Sequence, residues 1–232
     1  MFKREGNSYY IEEFRELGIE ALYTGADFPY LEFEKNRKII HGYQTHSKNV
    51  RVISEKEEME GIPYPDCDGL LTHRKDLVLY TKHADCLALY FYDRKREVVG
   101  LCHSGWKGSF QKMALEMVER FRSEYCSELE DILVGIGIGI SPQNYQVSEE
   151  FYRDFKENFS PGILEGVFQE MEGKIFFHNE RFNYNLLLDY GIPEDNLICS
   201  NLCTYRDRSL HSHRRDREKA GRNRAYIYIN KG

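Results

Sequence analysis

No stretch of this 232-residue chain approaches the run of roughly 20 apolar residues that spans a bilayer, so a membrane-spanning helix is not expected. The opening Met1-Phe2-Lys3-Arg4-Glu5 lacks the apolar core of a secretion signal. Positive charge is not in surplus either. The net charge is -6 at pH 7, which argues against a nucleic-acid partner. Cys-x-x-Cys and His-x3-His spacings are missing, which excludes a zinc finger. No repeat, low-complexity tract or long linker divides the chain, so one domain over residues 1–232 is expected. The six cysteines (67, 86, 102, 126, 199 and 203) then read as reduced thiols of a cytoplasmic protein, most of them small buried hydrophobes.

Aromatic side chains are plentiful, with 17 tyrosines and 14 phenylalanines, and they supply buried area that a 41% hydrophobic fraction would otherwise leave short. Short apolar runs predict strands over 37–43, 49–53, 69–72, 77–81, 87–92, 98–102, 132–139, 197–200 and 225–229. Helical spacing predicts helices over 12–17, 149–159 and 183–190. A further helix is expected from a Ser109 cap to about Tyr125, with Phe110, Met113, Met117 and Phe121 on one stripe. Without a strict strand-helix rhythm, the expected class is α+β, a mixed-sheet α/β sandwich.

Three polar or glycine-rich contexts carry residues suited to chemistry. They are Gln44-Thr45-His46-Ser47, His83-Ala84-Asp85-Cys86 and Cys102-His103-Ser104-Gly105-Trp106-Lys107-Gly108. One thiolate and two imidazoles form the ligand set of a catalytic zinc, with a fourth position left for water or substrate. Cys102 and His103 are neighbours on a strand and point to opposite faces, so only one of them can face such a site. Asp85 and Cys86 pose the same choice: the thiolate is the softer ligand, and Asp85 could orient an imidazole. His83 is a second-choice ligand. The helix expected after Gly108 would present free amides to an anion, with Lys107 beside it.

In order, these segments resemble the laccase-domain family of purine nucleoside phosphorylases, also called polyphenol oxidoreductase laccases. The resemblance rests on Gln44-Thr45-His46-Ser47, Asp66-Cys67-Asp68-Gly69-Leu70-Leu71-Thr72, Ala84-Asp85-Cys86, and His103-Ser104-Gly105-Trp106-Lys107-Gly108. It continues through Gly137-Ile138-Gly139-Ile140-Ser141-Pro142 to Tyr145-Gln146-Val147, Ser212-His213-Arg214-Arg215 and Gly221-Arg222. It implies a metal on His46, Cys86 and His103, zinc first and copper as the alternative. It also implies phosphorolysis of adenosine, inosine and 5′-methylthioadenosine, with adenosine deamination at the same site. The expected partners are purine nucleosides and phosphate, bound by a monomer or homodimer. Gln44, Trp106, Lys107, Arg214 and Arg215 are the candidate substrate-binding residues, and Asp85 joins the three ligands as a catalytic candidate. The family's N-terminal Arg-x-Gly-Gly-x-Ser arm has no counterpart, and Lys107 stands where the family has Arg, keeping charge but losing the bidentate fork.

Other chemistries fit the same residues. Cys86 activated by His103 or His46 would make a thiol hydrolase. The resemblance also covers hydrolases that edit peptidoglycan precursors and copper-dependent phenol oxidases. Laccase chemistry on several coppers needs many His-x-His pairs, whereas this chain has 8 histidines and the single pair His211-Ser212-His213. A non-catalytic scaffold pinned by zinc would need a fourth protein ligand, and His83 is the nearby candidate.

Overall fold

The computed structural model describes residues 1–54 and 63–230. Along the chain run strands β1 (Phe2–Glu5) and β2 (Ser8–Ile11), helix α1 (Glu12–Glu16), β3 (Ile19–Thr24), α2 (Tyr30–Glu34), β4 (Lys38–His41) and β5 (Val50–Val52). Then come β6 (Gly69–Thr72), β7 (Leu77–His83), β8 (Leu87–Asp93), β9 (Val98–Ser104), α3 (Trp106–Phe110), α4 (Met113–Tyr125) and β10 (Ile132–Ile136). The last part holds β11 (Gln146–Val147), α5 (Glu149–Asn158), β12 (Phe168–Met171), β13 (Lys174–Phe177), α6 (Asn179–Tyr190), β14 (Leu197–Cys199), α7 (His213–Asp216) and β15 (Asn223–Ile229).

Two six-stranded mixed sheets form the body, ordered β1-β2-β3-β15-β7-β4 and β14-β10-β8-β9-β6-β5, with a small third sheet β11-β13-β12. The expected mixed-sheet α+β sandwich is what the chain builds. Tyr23, Leu79, Ala225 and Ile227 of the first sheet meet Tyr90, Tyr92, Val99 and Leu101 of the second in one buried core. The far face of the second sheet, through Leu89, Phe91 and Val134, is covered by Met113, Met117 and Phe121 of α4 and Leu187 of α6. Each residue of β8 and β9 is buried, because one face meets a sheet and the other helices. That explains why those strands read as unbroken apolar runs rather than alternating ones. Among the described residues, no helix is long and apolar enough to cross a membrane.

The sequence expectation failed at several places. Strands β1 to β3 were not foreseen, although Gly6 at φ 56° makes the β1–β2 turn. Strand β10 stops at Ile136 rather than Gly139, and α6 begins at Asn179 rather than Asn183. The third sheet was also missed, since its short strands carry too little periodicity.

The helix expected from Ser109 is instead two helices, α3 starting at Trp106 behind Gly105, and α4 behind Lys112 at φ 62°. Ser109 does not cap. Its side chain is buried against Ser104 (2.9 Å between hydroxyls) and accepts from Asn183 Nδ2 at 2.9 Å. The Ser109 amide, expected to be free for an anion, donates to the Gly105 carbonyl at 2.9 Å.

Candidate metal centre

The three ligand candidates come from three chain segments. His46 lies in the β4–β5 connection, Cys86 in the tight β7–β8 turn, and His103 on β9 opposite Ala88. Their ligand atoms all lie within 4.8 Å of one another, and they are the group of this kind found among the described residues. The rings of His46 and His103 meet edge-on with centroids 4.9 Å apart. Burial grades from His103, which is buried, through Cys86 to the exposed His46, so the group is sealed on one side and open on the other.

Asp68 assembles it. Its Oδ1 lies 2.9 Å from His103 Nδ1, which leaves Nε2 of that ring for a metal. The same carboxylate accepts from the backbone N–H groups of Thr45, His46 and Ser47 at 3.0, 3.2 and 2.9 Å, fixing the loop that carries the second imidazole. Its backbone carbonyl accepts from the His103 amide at 2.8 Å. Burial opposes its charge, but the His103 hydrogen bond and these amides prevail and hold the carboxyl down at about 2. The carboxylate that faces an imidazole of the group is therefore Asp68 and not Asp85. Asp85 accepts instead from the Thr204 hydroxyl and the Arg214 amide, both at 2.6 Å.

Burial would raise the Cys86 thiol, yet the charge of His103 and hydrogen bonds from His103 and His46 bring it down to about 6. Burial would lower His103, but the Cys86 thiolate and Asp68 lift it to about 9. Without metal, the two shifts favour a thiolate on Cys86 beside an imidazolium on His103. A thiolate and two orientable imidazoles within one ion's reach suit zinc, or copper, by donor chemistry. His83 does not complete a fourth corner. Its Nε2 lies 2.7 Å from the Thr81 hydroxyl and its Nδ1 3.2 Å from the Cys86 carbonyl oxygen. Burial and the neighbouring charge of His103 hold that ring neutral, with its pKa well below the ordinary value.

Two cavities meet at Cys86. The larger, about 560 Å³, is walled by His46, His103, Gln44, Lys82 and Arg222. The smaller, about 140 Å³, is walled by Trp106, Tyr145, Ile140, Asn179 and Arg214. Cys86, Ala84 and His213 line both.

The remaining sequence candidates are placed unevenly. Gln44 donates to the Lys82 carbonyl (2.9 Å) and accepts from its amide (2.8 Å), so its amide stitches the His46 loop to β7. Trp106 is 39% exposed and its ring packs 5.3 Å from that of Phe151. Lys107 sits 5.7 Å from the Trp106 ring and lines neither cavity. Arg214 reaches the Gln146 carbonyl at 3.3 Å and lies over Tyr145. Arg215 spends its guanidinium on the carbonyls of Thr204, Tyr205, Asp207 and Leu210 and on Asp216, which holds the 204–210 loop in shape. Asp68 was passed over in the sequence, although it is a carboxylate beside an apolar strand. Lys82 and Asn179 gave no signal, and Tyr145 and His213 stood within segments of the resemblance without being given a role.

The family model described as multi-copper polyphenol oxidoreductase laccase matches residues 28–230. A purine nucleoside phosphorylase of Borreliella burgdorferi is 37% identical over 184 residues, covering 79% of this chain and 77% of that protein. Purine nucleoside phosphorylase YlmD of Bacillus subtilis is 30% identical over 190 residues, 79% of this chain and 68% of its own length. The crystal structure of hypothetical protein YfiH of Bacillus licheniformis superposes with a TM-score of 0.88 at 27% identity, over 98% of both chains. Matched in sequence across nearly its whole length and in fold throughout, the chain belongs to the multi-copper polyphenol oxidoreductase laccase family.

Proposed function

We infer that the protein is a zinc-dependent purine nucleoside phosphorylase acting on adenosine, inosine and 5′-methylthioadenosine, with adenosine deamination at the same centre. The observation that carries this reading is the His46–Cys86–His103 group, within 4.8 Å and open to two cavities, in a chain whose relatives are named purine nucleoside phosphorylases. His46, Cys86 and His103 would hold the metal, which supplies Lewis acidity toward an oxygen ligand when bound. Asp68 keeps His103 in one tautomer and the His46 loop in place. Asp85 ties the Cys86 turn to α7 through the Arg214 amide, and so holds Arg214 and His213 against the site.

In phosphorolysis a phosphate oxygen bonds to C1′ of the ribose while the C1′–N9 bond breaks. The bonding pair leaves with the purine, and the proton carried by phosphate ends on the base. Trp106 and Tyr145 offer aromatic faces to the purine, and Asn179 a polar edge. In deamination water adds at the purine C6 and ammonia leaves. Six free thiols, among them the one in the centre, suit a reducing cytoplasm.

The test is chromatography of metal-analysed protein incubated with adenosine or inosine, with and without phosphate. Phosphate-dependent release of adenine or hypoxanthine establishes phosphorolysis, and phosphate-independent inosine from adenosine establishes deamination. Stoichiometric metal with neither product overturns the reading.

A further inference from the structure

We propose that the larger cavity is the phosphate subsite, with Lys82 and Arg222 as the cations that hold inorganic phosphate, while the purine enters from the smaller cavity. This rests on the phosphorolysis reading and assigns each cavity to one reactant.

Charge separates the two cavities. The chain carries a net charge of -6. Even so, the larger cavity presents Lys82, Arg222 and four imidazoles, and among the described residues no carboxylate lines it. Neither Lys82 nor Arg222 has a carboxylate partner among the described residues. Lys82 is exposed, with its ammonium 5.8 Å from the Tyr80 ring. Arg222 donates from one nitrogen to the carbonyls of its neighbours Ala220 and Gly221 at 3.0 and 2.9 Å. Two cations with no carboxylate partner among the described residues attract a dianion, and a guanidinium with donors to spare suits phosphate oxygens. The smaller cavity is built differently. Trp106, Tyr145 and Ile140 give it flat apolar walls, and its charges balance, with the Asp85 carboxylate set against the Arg214 guanidinium.

Reaction geometry separates them too. Attack on C1′ and departure of the base take place on opposite sides of one carbon, so the reactants need subsites that meet at the reacting atom. Cys86 and His213 line both cavities and mark where they join. Lys107, by contrast, reaches neither. Arg222 belongs to the Gly221-Arg222 segment, to which the sequence resemblance gave no role.

The experiment is steady-state phosphorolysis of inosine by the metal-loaded full chain and its K82M, R222M and double variants, with each substrate varied in turn. K95M removes one exposed charge elsewhere and serves as the reference. Loss of a charge-assisted hydrogen bond should raise the phosphate KM about 10-fold or more per substitution. The inosine KM and the metal content should stay within about twofold, and R222K should recover part of the loss. An unchanged phosphate KM in the double variant overturns the assignment, as does an equal rise in both KM values. If the unmodified protein shows no phosphorolysis, the functional reading falls and direct binding of inorganic phosphate decides the subsite. Calorimetric binding that the double variant loses with its metal retained supports it; no binding to the unmodified protein refutes it.

Discussion

Asp68 Oδ1 lies 2.9 Å from His103 Nδ1, and the carboxylate that makes this contact also accepts from the amide of His46. One buried side chain therefore sets the ring of one candidate metal ligand and the backbone of another. Metal-ligating histidines depend on such partners for tautomer and basicity.

Asp68→Asn should accordingly weaken metal binding by about 10- to 100-fold, measured by competition with a chromophoric chelator. Because the native carboxyl is held down at about 2 from an ordinary 3.8, its stabilisation is complete above pH 3.8 and is lost as pH falls through 2. Acid titration of the metal-free protein should show that loss, and the variant should not. An unchanged metal affinity in the variant would remove Asp68 from the centre.

The Cys86 thiol can be read by alkylation. Its pKa is lowered from 9.0 to about 6, so in chelator-treated protein it is mostly thiolate at pH 7. Iodoacetamide labelling of Cys86, followed by mass spectrometry, should fall off only as pH drops through about 6, whereas an unperturbed thiol is already mostly protonated below 9. Loading with zinc should suppress the labelling. Rapid labelling of the zinc-loaded protein would favour a nucleophilic thiol over a metal ligand.

Gly105 tests the packing of the centre. A methyl group there would sit 2.7 Å from Cys86 Sγ and 3.2 Å from His46 Cδ2. Both atoms belong to candidate ligands already held in place, Cys86 by the β7–β8 turn and His46 by the hydrogen bond from its amide to Asp68. Gly105→Ala should lower metal affinity by an order of magnitude or more while the protein stays folded, as followed by circular dichroism and metal analysis. Full metal content at limiting zinc would show that the turn yields.

Trp106 offers a separate handle on the nucleoside. Stacking of a base on an aromatic ring contributes about 1–3 kcal/mol, so Trp106→Ala should raise the nucleoside KM roughly 5- to 150-fold. The phosphate KM should be unaffected, since Trp106 lines the smaller cavity alone. Equal rises in both would mean that the Trp106–Phe151 contact supports the whole site rather than the base.

The sequence by itself determined the material of the sheets and the identity of the ligand candidates. Continuous apolar runs at 87–92 and 98–102 suited buried strands, and the ordered family segments, rather than the context of any one residue, singled out His46, Cys86 and His103. Where the ligands meet was not legible, because 57 positions separate His46 from His103 and no local period links a loop, a turn and a strand end. Tertiary structure alone decided that Asp68 rather than Asp85 faces the imidazole. The two carboxylates look alike in sequence, but the β6–β9 register sets Asp68 against His103, whereas Asp85 meets the amide of Arg214 in α7. Likewise, the start of α3 at Trp106 follows from a serine hydroxyl pair buried against Asn183, a contact across 74 positions that overrides the local signal of Ser109 as a cap. Short-range propensity supplied the strands; long-range hydrogen bonds placed the chemistry.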